Sequence, residues 1–259
     1  MKNISKAYKL SVFAGFISSY MFSSFIILVF NFFSFDRARK HLIKNISFHT
    51  KIGLKLFNIK VKRCSSINPK ENFLLVSNHL SYLDIFVISS EFPTCFVTSV
   101  EMKETPFLGQ LCLLGGCLFV ERRSRKGLSN EVKNLTKALD EQLNVVIFPE
   151  ATSTNGEQLL KFRRPLFQAA IDAKKNILPV CLNYKKVDYE PITLRNRDSV
   201  FWYGDMTFFP HFLKLLEVEE IEVEITTMEK VELQPEFTKN ELAEITFNKI
   251  AEVYHPINV

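Results

Sequence analysis

Residues 73–90 read FLLVSNHLSYLDIFVISS. Phe73 to Ser77 are a short apolar run of strand length, and residues 82–90 carry apolar side chains at helical spacing. Asn78, His79, Leu80 and Ser81 link the two. The same alternation recurs along the chain. Strands are expected at 95–100, 117–121, 145–149, 177–184 and 221–226, and helices at 106–114, 128–142, 164–175 and 238–254. This order predicts an α/β fold, with a mixed, largely parallel central sheet flanked by helices. Residues 221–226 (IEVEIT) alternate apolar and polar side chains, as expected of a strand near an edge with one wet face.

Upstream, Leu10 to Phe35 contains no charged residue over 26 positions. A membrane-spanning helix needs roughly 20 largely apolar residues. A secretory signal has a shorter apolar region and a small-x-small cleavage site, which is missing here. The segment, about 10–35, is therefore expected to be an N-terminal membrane helix. Five serines (Ser11, Ser18, Ser19, Ser23, Ser24) dilute it, so a shallow or hairpin-like insertion stays open. Residues 37–58 follow as a helix with Leu42, Ile43, Ile46, Leu54 and Phe57 on one side and basic residues on the other. It is expected to lie along the membrane surface. Residues 1–60 are read as the anchor and basic helix, and 61–259 as one catalytic-sized domain.

The charge follows that division. Residues 1–70 sum to +12 and the remainder to −7, within a formal net charge of +5. A basic front and an acidic body argue against one long basic face for nucleic acid and fit a basic end held against anionic lipid. The basic flank after the apolar segment places the body on the cytoplasmic side of the inner membrane. Five scattered cysteines without a C-x-x-C are read as reduced, buried thiols.

In such folds, chemistry gathers at the carboxyl ends of strands, here after Ser77, Val120 and Phe148. After Ser77 come His79 and Asp84. Ser81-x-x-Asp84 has capping-box spacing, which puts Ser81 at the helix cap, Asp84 in the first turn and His79 in the loop. That lets the carboxylate hold one imidazole nitrogen while the other faces a substrate, the base half of a triad without a serine. After Phe148 come Glu150, Thr152 and Ser153, short polar groups suited to a hydroxylated or phosphorylated ligand. Arg122 after one strand, and Lys161, Arg163 and Arg164 downstream, offer cations for an anion. Structural alternatives exist for each: a helix cap for Asp84, a satisfied loop residue for His79, and solvated surface for the cations.

Together these residues resemble the glycerophospholipid acyltransferase family. NHLSYLD (78–84) is similar to its N-H-x-x-x-x-D box. Residues 101–122, with Glu101-Met102, a Pro, glycines and a final FVER, resemble its second block. FPEATSTNG (148–156) resembles its F-P-E-G-T-R-S block, and ILPV (177–180) its fourth. The resemblance implies acyl transfer from acyl-CoA or acyl-carrier protein to a lysolipid hydroxyl. It further implies that His79 is the base, that Asp84 orients it, and that Asn78, Arg122, Glu150, Thr152 and Ser153 bind substrate, with no metal or cofactor. Two departures stand out: Ala151 where the family has Gly, and Ser153 where it has Arg. Lys161, Arg163 and Arg164 are expected to supply the missing charge, and a lyso-ornithine-lipid acceptor is an alternative to lysophosphatidate. Side chains between Leu111 and Leu118 are expected to limit acyl-chain length. Phe201–Tyr203 and Phe208–Phe209 are read as core packing, with shallow membrane insertion as the alternative.

The sequence has no G-x-S-x-G elbow for a serine hydrolase, no His cluster for a metal site and no phosphate-binding glycine loop. A non-catalytic lipid-binding protein that kept the fold is the rival from another class.

Overall fold

The computed structural model describes residues 2–65, 71–121 and 125–257, with side chains from residue 7 onward and excepting 125–127. In chain order the elements are α1 (Lys2–Phe30), α2 (Phe35–Leu56), β1 (Ile59–Arg63), β2 (Leu74–Ser77), α3 (Leu83–Glu91), β3 (Thr94–Ser99), α4 (Val100–Glu104), α5 (Leu108–Leu114), β4 (Leu118–Val120), α6 (Arg125–Asp140), β5 (Asn144–Ile147), α7 (Gln168–Asp172), β6 (Ile177–Val187), β7 (Glu190–Pro191), α8 (Phe208–Leu215), β8 (Ile221–Thr227) and α9 (Lys239–Val253).

The strands form one mixed sheet in the order β1-β8-β6-β2-β5-β3-β4, with β7 pairing on β6. Every neighbouring pair along that order is parallel except β6 with β8. The middle strands β2 and β5 are apolar apart from Ser77 and Asn144 at their ends and almost wholly buried, as expected of parallel strands covered on both faces. Strand β8 lies one place in from the edge. Its residues alternate buried and half-buried, which matches the IEVEIT pattern. The edge itself is β1, IKVKR, which the sequence did not signal. Its outward Lys60, Lys62 and Arg63 pair with Glu220, Glu224 and Glu91 and discourage a further strand.

The order β6-β2-β5 positions the site. Residues 78–82 leave β2, and residues 148–154 leave β5, from neighbouring strands at the same sheet edge. The two loops therefore meet, although about 70 residues of chain separate them.

Helices α1 and α2 form a hairpin. Ala7–Phe30 is long and apolar enough to cross a membrane, but it is not an isolated rod. Three of its serines face α2: Ser23 and Asn45 exchange hydrogen bonds at 2.9 and 3.1 Å, Asn45 Nδ2 donates to Ser24 Oγ at 2.9 Å, and Ser19 lies 3.4 Å from His49. Three of the five serines that dilute the apolar run thus join the two helices, while Ser11 and Ser18 are exposed. Lower on α1, the Phe13 ring packs 4.3 Å from that of Phe212, and Tyr20 Oη donates to the Leu111 carbonyl. The far end, with Phe30, Phe32 and Phe33, is exposed, Phe33 fully so at 99%.

The apolar stripe of α2 does not face outward along a membrane as expected. Leu42, Ile43 and Leu54 are buried, and the helix packs on α3. Phe48, Ile52 and Leu56 are the apolar residues it leaves exposed. Helix α8 was also unanticipated. Its Phe208 and Phe212 stack at 5.7 Å. Phe201 is core, Trp202 and Tyr203 are half-buried at the site, and Phe209 is exposed.

Candidate active site

Ser77 ends β2 in register with Val180 of β6. Asn78 then extends that pairing with its side chain. Its amide donates to the Leu182 carbonyl at 3.0 Å and accepts from the Leu182 amide at 2.8 Å. Fully buried and bonded in this way, Asn78 does not line the cavity described below. What it fixes is the point at which the chain leaves the sheet.

The next three residues form a loop whose backbone is held from several sides. The His79 amide donates to Glu150 Oε1 at 2.9 Å, and its carbonyl accepts from the Thr154 amide at 2.9 Å. The Leu80 carbonyl accepts from the Trp202 amide. The Leu80 and Ser81 amides both donate to Asp84 Oδ2, at 2.7 and 3.0 Å. The expected capping box is therefore half present. Asp84 reaches back to the Ser81 amide, but the Ser81 hydroxyl donates to the Val200 carbonyl at 2.7 Å. The helix starts one residue later than expected, with Tyr82 at its cap.

His79 Nδ1 lies 2.8 Å from Asp84 Oδ2. That oxygen already accepts from two amides, so it also accepts from the imidazole, and Nδ1 carries the proton. Nε2 is left with its lone pair. The His79 side chain is 19% exposed while Asp84 is completely enclosed. Phe148 stacks under the imidazole with ring centres 4.1 Å apart. The second oxygen of Asp84, Oδ1, accepts from Tyr184 Oη at 2.8 Å. Burial, with the adjacent carboxylate, pushes the Tyr184 phenol well up, so it stays a donor. Neither Phe148 nor Tyr184 was singled out in the sequence. Tyr184 lies on another strand, 100 residues away, and no spacing could have signalled it.

Glu150 also differs from its expected place. It is buried, and its second oxygen accepts from the Leu160 amide at 2.8 Å. The carboxylate thus fastens two loops together. Burial raises its carboxyl to about 7, although both amides favour the charged form. Its neighbour Ala151 has φ +62°, closing a turn in which its amide donates to the Phe148 carbonyl. This is the left-handed conformation that glycine adopts without strain, which accounts for a glycine at this place in the motif.

The imidazole opens on a cavity of about 380 Å³, within the range of small-molecule sites. Its walls come from α1 (Phe13, Phe16, Tyr20), α3, β3, α5 (Leu111, Cys112) and α8, and from Thr152, Ser153, Trp202 and Tyr203 beside His79. No Lys or Arg is among its described lining residues. Lys161, Arg163 and Arg164 are exposed and lie elsewhere. Arg163 borders a smaller recess of about 90 Å³ on the other side of the Phe148–Ala151 turn. Arg122 lies outside the described residues. Of the sequence candidates, His79, Thr152 and Ser153 meet at the cavity, and Asp84, Asn78 and Glu150 stand behind it. An imidazole with one nitrogen fixed and one free, beside an apolar cavity, can take a proton from an alcohol.

The sequence model of the Acyltransferase family matches residues 58–183. The chain is 27% identical over 207 residues to a lyso-ornithine lipid O-acyltransferase of Rhizobium meliloti (strain 1021), covering 77% of this chain and 71% of that protein. It is 39% identical over 111 residues to a 1-acyl-sn-glycerol-3-phosphate acyltransferase of Neisseria gonorrhoeae, covering 43% and 44% respectively. In fold it is similar to the crystal structure of the 1-acyl-sn-glycerophosphate (LPA) acyltransferase PlsC from Thermotoga maritima. The TM-score is 0.67 at 18% identity, over 97% of this chain and 95% of that one. The chain belongs to the glycerophospholipid acyltransferase family, and it is an acyltransferase.

Proposed function

We propose that the protein moves a fatty acyl group from acyl-CoA or acyl-carrier protein to the hydroxyl of a lysolipid at a membrane surface, with His79 as general base. The observation that carries this is the Asp84–His79 pair at the mouth of an apolar cavity. Nε2 takes the proton of the acceptor hydroxyl as its oxygen attacks the thioester carbonyl. Asp84 stabilises the imidazolium that forms. As the tetrahedral intermediate collapses, the carbon–sulfur bond breaks and the imidazolium protonates the departing thiolate. The ester forms without a covalent acyl-enzyme. The apolar cavity suits the acyl chain, with Leu111, Cys112 and Cys117 on the wall where a limit on chain length is expected.

In this reading residues 1–60 dock the enzyme and 61–259 form the acyltransferase domain, although α1 contributes a wall of the cavity. Because Phe13 and Tyr20 pack on the body, the hairpin enters the bilayer by its free end, where Phe25, Phe30, Phe32 and Phe33 are exposed. That holds the cavity at the lipid boundary, on the cytoplasmic face of the inner membrane, where the acceptor is concentrated.

A second reading of the acceptor has its own support. Ser153 replaces the motif's arginine, and its hydroxyl donates to the Trp202 carbonyl. Beside the cavity residue Tyr203 stand Arg197, Glu157 and Asp198, charges of both signs. An amino-acid headgroup, as in a lyso-ornithine lipid, suits that set better than a phosphomonoester does. Lipid extracts from cells with and without the protein decide between them. The acylated class that disappears, with its lyso form accumulating, names the acceptor. Identical extracts would contradict both.

A further inference from the structure

Five cysteines occur in the sequence, and the structure separates two of them from the rest. Cys64 is exposed, contrary to the expectation that all five are buried, while Cys95 and Cys181 are enclosed. Cys112 and Cys117 lie together on the cavity wall. Their proximity is built into the backbone. Helix α5 ends with Gly116 at φ +74°, its amide donating to the Leu113 carbonyl, while the Cys117 amide donates to the Cys112 carbonyl at 3.1 Å. That pair of bonds is the Schellman ending, which brings the residue just past the helix back over the one five positions before it. Apolar side chains commonly meet there, and here two thiols do. They lie close enough for each to shift the other's acidity.

We propose that Cys112 and Cys117 are an oxidisable dithiol, closing to a reversible disulfide on the cavity wall when the enzyme meets a hydroperoxide. The Cys112 thiolate attacks one peroxide oxygen. The O–O bond breaks, the distal fragment leaves as an alcohol (as water when the oxidant is hydrogen peroxide), and Cys112 becomes a sulfenic acid. Cys117 then attacks that sulfur, the S–O bond breaks, and the sulfenic oxygen leaves as water. Two thiols have given two electrons to one peroxide. A dithiol reductant reverses the reaction by exchange.

The roles of the two sulfurs follow from their surroundings. Cys112 is half-buried on the cavity, and the Cys117 thiol beside it holds its thiol below the ordinary value. Cys117 is enclosed, and the neighbouring sulfur and burial push it up, so Cys112 reacts first and Cys117, held beside it, second. Burial pushes Cys95 and Cys181 up to about 12, which leaves them inert by comparison. The disulfide would tie the last turn of α5 to the residue that enters β4 and stiffen the wall on which Leu111 lies.

The test does not depend on acyl transfer. Both cysteines fall in the tryptic peptide 104–122, so the full-length folded protein in detergent is treated with hydrogen peroxide, alkylated, digested and weighed. The expected result is that this peptide loses two hydrogens and escapes alkylation at both sites, and that dithiothreitol restores alkylation. In Cys117→Ser the reaction stops at a Cys112 sulfenic acid, which dimedone traps. Persistent alkylation of Cys112 and Cys117 after peroxide, or pairing of Cys112 with Cys64 or Cys95 instead, overturns the proposal.

Discussion

Tyr184 donates its phenol to Asp84 Oδ1 at 2.8 Å, the carboxylate oxygen that His79 does not use. The carboxylate is thus held at both ends, by two amides and the imidazole at Oδ2 and by the phenol at Oδ1. A phenyl ring at 184 would leave Oδ1 buried without its donor. Tyr184→Phe should cost about 1–3 kcal/mol of stability. It should also lower kcat while the circular dichroism spectrum is unchanged. Urea unfolding and steady-state rates check this, and unchanged values of both would show that the phenol does not position the carboxylate.

This contact also marks how far the sequence could be read. The strand–helix alternation, the N-terminal apolar segment and the His79–Asp84 pairing were legible because each is local, a period or a spacing within a few residues. Asn78, Glu150 and Tyr184 act through partners 71 to 104 residues away. Their side chains are set by which strands lie side by side, and one sequence does not state that order. Glu150 looked like a ligand residue because it stands among short polar residues at a strand's carboxyl end, whereas its carboxylate is used by two amides. Strand β1 was missed because a five-residue edge strand rich in lysine has too few apolar positions to show a period.

Ala151 holds φ +62°, a conformation that costs a Cβ-bearing residue about 1 kcal/mol relative to glycine. Ala151→Gly relieves that strain but frees the unfolded chain. The net result should be a gain of several tenths of a kcal/mol up to about 1 kcal/mol, read as a higher urea midpoint with the same slope. A loss of stability would contradict the strain.

Glu150 has a carboxyl near 7 in the fold against an ordinary 4.5. A raised value means that the protonated form is the one the fold favours. Its contribution is complete below pH 4.5, shrinks as pH rises and is gone above about 7. The stability of the wild type relative to Glu150→Gln should therefore fall across that window, by on the order of 3 kcal/mol. Gln keeps only one acceptor for the two amides, so an offset is expected at every pH. Unfolding free energies measured on both proteins across the window should converge or cross with rising pH. A constant difference would contradict the assignment.

Leu111 faces the cavity from α5. A tryptophan there fills space that a long acyl chain would use. Leu111→Trp should lower kcat/KM for the longest thioester accepted by roughly tenfold or more and spare shorter ones. Competition between thioesters of different length reads the shift, and an unaltered profile would place the chain elsewhere.

The central claim is that the His79 imidazole, held by Asp84, activates the acceptor hydroxyl. The most direct measurement is transfer of labelled acyl groups to lysolipid by purified His79→Ala in lipid vesicles, beside wild type. The account predicts a loss on the order of 10²–10⁴-fold in kcat, with the variant still folded and still vesicle-bound. Acyl transfer at the wild-type rate would contradict it.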